Sequence, residues 1–441
     1  MPASSLPVIR IAILGCGNVG AALVELLLDP AGADDLATRA GARLEIVGVA
    51  VSDASKPRPS APHLAQELLT EDAAALVGRD DVDLVVELMG GLEPAGSLIS
   101  SALSRGIPVV TGNKALLADR GLELGDLAAA HGTDLGFEAA VGGVVPVIRT
   151  LRESFAGEQI TRVMGIVNGT TNFILSTMAE RGSSYGEVLA EAQALGYAEA
   201  DPTADVEGFD AAAKAAILAR LAFGCPVPLD AVHREGITSV RDVDVAFARH
   251  LGFAVKLLAI AERVGDGEIS ARVHPTMVSI DHPLAAVGGA FNAVFIEGEA
   301  SGPVMLYGQG AGGKPTASAV LGDIIDAARR RLSGTSAPTP ISTMDRVPVG
   351  LDELRSAFYL SIDVADRPGV LAAVATAFGD NRISIRSMEQ VGLGDEARLI
   401  FLTHAATERD MAATLAALDT VDAVDSVGGV LRVIGSDEEG F

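Results

Sequence analysis

The chain is poor in several features that would narrow its class. Its 441 residues include two cysteines, Cys16 and Cys225, no tryptophan, and only 4% aromatics. Two cysteines provide neither a disulfide framework nor a zinc-type pairing, so a reducing, cytoplasmic setting is expected. Positive charge is also scarce. The 33 Lys and Arg face 58 Asp and Glu, a formal net charge of −25. That excess repels phosphate backbones and anionic membranes and argues against nucleic-acid binding. No apolar run reaches the roughly 18 residues that a membrane span needs. Met1 to Leu6 shows no basic segment leading into an apolar one, so no signal peptide is expected.

What is present reads as globular. Apolar residues make up 49% and charged residues 21%, enough for real cores, and a chain this long is expected to form two or three domains. The densest chemistry lies between Leu195 and Phe223. Glu199, Asp201, Asp205 and Glu207 crowd a loop that runs to about Gly208, and Pro202 disfavours helix before it. From about Phe209 the chain is rich in Ala and Leu and reads as helix. Asp210 and Lys214 stand four apart and share a face of a helix that is apolar on most sides and therefore buried. A buried carboxylate and ammonium are costly unless paired. The two form a structural ion pair, an ordinary exposed pair, or a site where an ammonium held by an acid handles a proton.

The N-terminal region alternates strand and helix patterns. Val8 to Leu14 is a buried-type strand running into Gly15-Cys16-Gly17-Asn18-Val19-Gly20, and an apolar helix pattern follows. Gly15 permits the tight turn and Gly17 lets backbone approach a pyrophosphate. Gly20 allows close helix–strand packing, and the helix N-terminus faces the anion. This is a dinucleotide fingerprint in its strand–helix setting. The second strand, Leu44 to Val51, lacks the late acid that would hold ribose hydroxyls; Asp53 comes slightly beyond it. Lys56 and Arg58 follow, either as partners of an NADP 2′-phosphate or as solvated loop charges. Val82 to Met89 is a strand ending at Gly90-Gly91, Ser97 to Arg105 a helix, and Ile107 to Thr111 a strand leading to Lys114. Ligands sit beyond the carboxyl ends of such strands, so Gly90, Thr111 and Lys114 are candidates, with a plain surface Lys as the alternative.

Further on, Glu138 is the one acid in a glycine-containing turn, and a carboxylate among exposed carbonyls suits a hard cation. Thr161 to Thr171 looks strand-like and leads into Asn168-Gly169-Thr170-Thr171-Asn172, which binds a polar ligand or caps a helix starting near Asn172. Val273 to Ile280 and Ala293 to Glu299 read as strands. The glycine-rich loop Gly308 to Thr316, with Gly313, feeds a helix from Ala317 to Arg331 and is a second possible phosphate or nicotinamide site. Residues 332–356 form a linker with Pro338, Pro340 and Pro348. Beyond it, strands at Ala357–Val364, Ile383–Val391, Ala397–Ala405 and Val424–Ile434 alternate with helices at Val370–Gly379 and Glu408–Leu418, a ferredoxin-like β-α-β-β-α-β unit.

The glycine turn, Glu87-Leu88-Met89-Gly90-Gly91, Thr111-Gly112-Asn113-Lys114 and Asn168 to Asn172 together resemble homoserine dehydrogenases over about residues 8 to 330. The most specific match runs from Gly196-Tyr197-Ala198-Glu199-Ala200-Asp201-Pro202 to Lys214. The unit carrying Asp366-Arg367-Pro368-Gly369 looks like an ACT domain. The resemblance implies an α/β architecture in three parts: a Rossmann-type doubly wound nucleotide-binding domain (1–140), an α+β substrate-binding, catalytic and dimerisation domain (141–331), and a C-terminal ferredoxin-like ACT domain (357–441). It implies interconversion of L-homoserine and L-aspartate 4-semialdehyde with NADP or NAD, in threonine, methionine and isoleucine biosynthesis. Glu199 and Asp210 would hold substrate and Lys214 would be the general acid/base. Asp205 would support the site, and Lys114 would meet both substrate and cofactor. Gly15, Gly17, Asn18, Val19, Gly20, Lys56, Arg58, Gly90, Thr111 and Gly313 would meet the cofactor. Glu138, Val141, Gly143 and Val145 match the family's sodium site. Asp366, Pro368 and Gly369 would bind a regulatory amino acid, with threonine the family expectation, in a homodimer or homotetramer. Many members carry Arg where this chain has Ser52, which weakens an NADP preference.

Two other readings compete. A semialdehyde dehydrogenase would need a nucleophilic Cys, and neither Cys16 in the nucleotide turn nor Cys225 in a Gly-Cys-Pro corner suits. An amino-acid sensor with a relic nucleotide domain conflicts with the intact glycine turn and the acid/Lys cluster.

Overall fold

A computed structural model describes residues 6–335, 345–392 and 397–435; residues 336–344 of the expected linker lie outside that set. The chain begins with β1 (Val8–Leu14), α1 (Asn18–Leu28), β2 (Arg43–Ala50), β3 (Leu69–Thr70), β4 (Leu84–Glu87), α2 (Ala95–Ser104), β5 (Val109–Thr111), α3 (Lys114–Ala130) and β6 (Leu135–Gly136). These strands form one sheet in the order β3-β2-β1-β4-β5-β6, and every pairing is parallel. A parallel sheet covered by helices on both faces needs strands apolar throughout, which accounts for the unbroken run of β1 and for Leu84, Val85 and Val86, all fully buried.

The middle of the chain supplies β7 (Ile160–Ile166), α4 (Gly169–Arg181), α5 (Phe209–Phe223), α6 (Asp242–His250), β8 (Phe253–Gly265), β9 (Glu268–Ser279), β10 (Phe291–Gly298), β11 (Gly302–Gln309) and α7 (Gly313–Ser333). Its antiparallel sheet runs β11-β10-β7-β8-β9. Two of these strands, β8 and β11, were not among the sequence expectations, and α4 begins at Gly169 rather than near Asn172. α7, grouped by sequence with residues 141–331, returns to the first sheet. Ala317, Val320 and Ile324 share a core with Ile11, Leu23 and Val24.

The last part comprises β12 (Arg355–Val364), α8 (Val370–Asp380), β13 (Ile385–Val391), β14 (Arg398–Thr403), α9 (Glu408–Leu418) and β15 (Val424–Ile434). Its strand order, β15-β12-β14-β13, is that of a ferredoxin-like unit. β15 also pairs in parallel with β9, Thr276 opposite Arg432 and Val278 opposite Ile434, so one sheet continues from the middle of the chain into its C-terminal part. Among the described residues, no helix is long and apolar enough to cross a membrane.

Candidate active site

α5 is framed by two glycines in left-handed conformation, Gly208 (φ 78°) before it and Gly224 (φ 63°) after it. Between them Ala211, Ala215, Ala216 and Ala219 are buried. Their small side chains let the helix lie close on β8 and β9 and against α3. This burial extends to two charged residues. Asp210 in the first turn, where a negative charge suits the helix dipole, is 6% exposed, and Lys214, one turn on, is 8% exposed.

Lys214 Nζ lies 2.7 Å from Asp210 Oδ2 and donates to the carbonyl of Val167 at 2.6 Å, where β7 has just ended. The other oxygen of Asp210, Oδ1, meets the ammonium of Lys114, the first residue of α3 beyond the carboxyl end of β5. One carboxylate thus holds two lysines. Burial favours the neutral acid, but the two ammoniums outweigh it and keep Asp210 well below the usual carboxylate range. The lysines respond in opposite ways. Burial pushes Lys214 below the ordinary lysine value, and the charge of Lys114 adds to that against the pull of Asp210. At Lys114 burial opposes the charge, but Asp210, with Asp205 and Glu199, prevails and raises its pKa.

Lys114, Glu199, Asp201, Asp205 and Asp210 line a cavity of about 830 Å³. Phe209 and Leu229 to Arg234 furnish much of its remaining wall, with Arg234 stacked on the Phe209 ring at 3.5 Å. Lys214 lies one step behind Asp210. Asp205 accepts a hydrogen bond from Asn168 Nδ2 at 2.7 Å. Glu207 is turned elsewhere, accepting from Thr238 at 2.9 Å. The sequence offered no signal for the stretch Leu229 to Arg234, which has the composition of an ordinary loop. The bridging role of Asn168 was hinted at only by the density of small polar groups around it.

The glycine turn behaves as its spacing requires. A Cβ at Gly15 (φ +101°) would sit 2.6 Å from the carbonyl of Leu88, and one at Gly20 would sit 2.3 Å from the carbonyl of Gly15. A Cβ at Gly17 would meet nothing within 4 Å, so this position is open to a ligand. α1 starts at Asn18, followed by Val19, and α7 at Gly313. The space over Gly313 is filled by Asn18, 2.8 Å from a Cβ there. Two helix N-termini thus converge on one place, as a pyrophosphate site requires. Gly90 (φ +75°) follows β4, its N–H donated to Glu87 at 2.9 Å. Thr111 is buried with its hydroxyl given to Glu87 at 2.5 Å, so that side chain holds the β4 and β5 loops together. Beyond β2, Asp53 accepts from the Ser55 hydroxyl and N–H at 2.6 and 2.9 Å. Arg58 donates to the carbonyls of Lys56 and Asp53, each at 2.7 Å, and reaches the Cys16 thiol in the glycine turn. Lys56 is exposed.

In the turn expected to hold a cation, the carboxylate is bound to main chain. Both oxygens of the Glu138 carboxylate accept main-chain N–H groups, from Ile148 at 2.8 Å and Arg149 at 2.9 Å. That carboxylate caps the next helical turn, and burial beside Asp323 pushes its pKa up to about 7. Of the carbonyls expected beside it, that of Val145 accepts from Val147 N at 2.8 Å. In the C-terminal unit Asp366, Pro368 and Gly369 form an exposed turn into α8, with Gly369 at φ 94°. Cys225 is buried, its thiol donated to the Arg346 carbonyl at 3.1 Å and its pKa raised by that burial, which unsuits it as a nucleophile for thioester chemistry.

The homoserine dehydrogenase family profile matches residues 146–325, the homoserine dehydrogenase NAD-binding domain residues 15–138, and the ACT domain residues 358–423. A homoserine dehydrogenase of Mycobacterium tuberculosis is 50% identical, over 99% of this chain and 100% of that protein. The crystal structure of a homoserine dehydrogenase from Thiobacillus denitrificans superposes with a TM-score of 0.90 at 40% identity, covering 97% of this chain and 99% of that one. A hyperthermophilic archaeal homoserine dehydrogenase solved in complex with NADPH gives a TM-score of 0.62 at 32% identity over 76% of this chain and 99% of its own.

Proposed function

The chain belongs to the homoserine dehydrogenase family and is an NAD(P)-dependent oxidoreductase interconverting L-homoserine and L-aspartate 4-semialdehyde; from that premise we propose that Lys214 exchanges the proton at the alcohol oxygen. The observation that carries this is the single carboxylate shared by two lysines, one on the cavity wall and one buried behind it, whose proton affinities the deeper burial of Lys214 and the charge of Lys114 set apart. Groups pushed apart by their surroundings mark acid/base assignments. Lys114 stays an ammonium on the cavity wall, suited to a substrate carboxylate or a carbonyl oxygen. Lys214, held below the ordinary lysine value, can give up and regain its proton nearer to working pH. Glu199 and Asp201 present carboxylates to the cavity and suit the substrate ammonium. Asp205 supports Asp210 from the cavity side. When bound, the nicotinamide supplies the hydride acceptor for the carbinol carbon. The second reading gives the proton to Lys114, because that residue lines the cavity and Lys214 does not.

Lys214→Met is expected to lower kcat by roughly 10²–10⁴-fold with cofactor binding kept, and Lys114→Met to act mainly on KM for homoserine. Near-parental turnover in Lys214→Met would hand the role to Lys114.

We further propose NADP as the preferred dinucleotide. The one acid near the end of β2, Asp53, is engaged with Ser55, and Arg58 reaches the glycine turn; the archaeal relative was solved with NADPH. A sodium ion in the Glu138 turn would rest on the carbonyls of Val141, Gly143 and Val145 beside the Glu138 carboxylate, oxygen ligands of the kind a hard cation takes; undiminished turnover in sodium-free choline buffer would set it aside. Phe291, Met305 and Tyr307 are exposed on β10 and β11, an apolar surface of the kind that marks association. It supports a homodimer or homotetramer, which a monomer mass by light scattering would refute.

A further inference from the structure

Asn168 has a second connection besides its place at the start of α4. Its Oδ1 accepts from Thr171 N at 2.9 Å and lies 3.1 Å from the Thr171 hydroxyl, an N-cap arrangement that satisfies a free N–H of the helix. With Oδ1 fixed in this way, the amide nitrogen must point in the opposite direction. There it donates to two carboxylates, Asp205 Oδ1 at 2.7 Å and Asp210 Oδ2 at 2.9 Å. An amide nitrogen has two hydrogens, and both are used on acids. The residue is 6% exposed, so neither bond is easily replaced by water.

The oxygen it reaches on Asp210 is the one that faces Lys214. Asp210 Oδ2 therefore accepts from the Asn168 amide and the Lys214 ammonium, while Oδ1 is left to Lys114. Rotating the carboxylate would break all three contacts. The bridging group also has to be uncharged. A cation in its place would compete with Lys214 for Asp210, and a carboxylate would set a third anion beside Asp205 and Asp210. Thr170 cannot substitute, because its one hydroxyl hydrogen is directed to the Tyr197 carbonyl at 2.6 Å, closer than Asp205 at 3.2 Å.

We propose that Asn168 is a positioning residue for the reaction: by joining Asp205 to Asp210 it holds the plane of the Asp210 carboxylate so that one oxygen faces each lysine, and so tunes the proton exchange at Lys214. The inference rests on Lys214 as the proton-exchanging group. It differs from a plain helix cap in that the donating end of the side chain, not the accepting end, does the work.

The two ends can be separated by substitution. Asn168→Ser and Asn168→Asp both keep an acceptor for the cap, and both lose the amide that spans two acids. Asn168→Ser is expected to fold with a melting temperature near the parent and to lose kcat by roughly 10- to 100-fold, the scale of a misplaced reacting group. KM for homoserine should change much less. Asn168→Asp adds an anion beside Lys214, which raises that lysine's pKa. The rising limb of homoserine oxidation against pH should therefore move up by about one unit. Parental kcat and pH profiles in both variants, measured beside an inactive Lys214→Met enzyme, would overturn the proposal. A fully active Lys214→Met enzyme would instead overturn the assignment beneath it.

Discussion

A carboxylate shared by two ammoniums has an asymmetry that a single substitution can expose. Asp210 raises the proton affinity of Lys214 while burial and Lys114 lower it. Asp210→Asn removes the neighbouring carboxylate charge that raises Lys214, so the pH limb of homoserine oxidation should move toward acid. Stability should change with pH in a definite sense. In the variant the folded state binds fewer protons at this lysine than the unfolded chain does. Stability then rises with pH, from the depressed folded pKa up to the ordinary lysine value of about 10.4. At neutral pH the loss is expected to be about 3–5 kcal/mol, the usual cost of leaving one member of a buried pair alone. Melting curves across pH would check this, and a deficit that stays constant from pH 7 to 10 would show that Lys214 is not the group concerned. The spacing of Asp210 and Lys214 made their pairing legible in the sequence. The third member, Lys114, was legible only as a residue at a strand end. Its meeting with Asp210 joins elements 96 positions apart, and no local pattern encodes such a contact.

At the scale of elements, strands that run into glycine turns were the most legible, because the turn geometry demands particular residues. Gly15 and Gly20 fill positions where backbone carbonyls leave no room for a Cβ. β8 and β11 were not legible, for two different reasons. β8 has most of its residues buried on both faces, including Lys256 with its Nζ on the Val287 carbonyl at 2.5 Å. It therefore lacks the alternation that marks a strand, and a short apolar run does not distinguish strand from buried helix. β11 alternates between partly covered and exposed residues, but Gly302, Pro303 and Gly308 weaken its strand signal. The element with most to say about cofactor choice is the loop after β2. Arg58 is anchored there by two carbonyls and reaches the glycine turn. A hydrogen bond to a charged group contributes about 1.5–3 kcal/mol. Arg58→Ala should therefore lower kcat/KM for NADPH by roughly 10- to 100-fold and leave NADH little changed. Equal losses with the two cofactors would mean that Arg58 only braces the loop.

Across the whole molecule, the C-terminal unit is tied to the rest by charge as well as by sheet. Arg432 on β15 makes two bonds to Glu408 of α9, at 2.6 and 2.8 Å, and a third at 2.9 Å to Glu235. Glu235 in turn is 2.7 Å from His233, and His233 and Arg234 line the cavity that holds Lys114 and Asp210. A second tie runs from Asp244 of α6, which accepts from Ser361 at 2.7 Å and Tyr359 at 3.1 Å on β12. The ferredoxin-like unit was legible from its alternating pattern; these ties were not, since they join residues far apart in the chain that no local pattern relates. We propose that an effector bound at the Asp366 turn acts on the cavity wall through β12, β15 and Glu235. We propose threonine as that effector. Arg432→Met would leave Glu408 and Glu235 without their shared cation, at a cost of about 3–5 kcal/mol. It should also weaken inhibition by threonine while turnover without threonine is largely kept. Truncation near Leu351 should abolish that inhibition altogether. Threonine inhibition of parental strength in an Arg432→Met enzyme with a lowered melting temperature would assign this cluster to stability alone and leave the Asp244 tie to carry the signal.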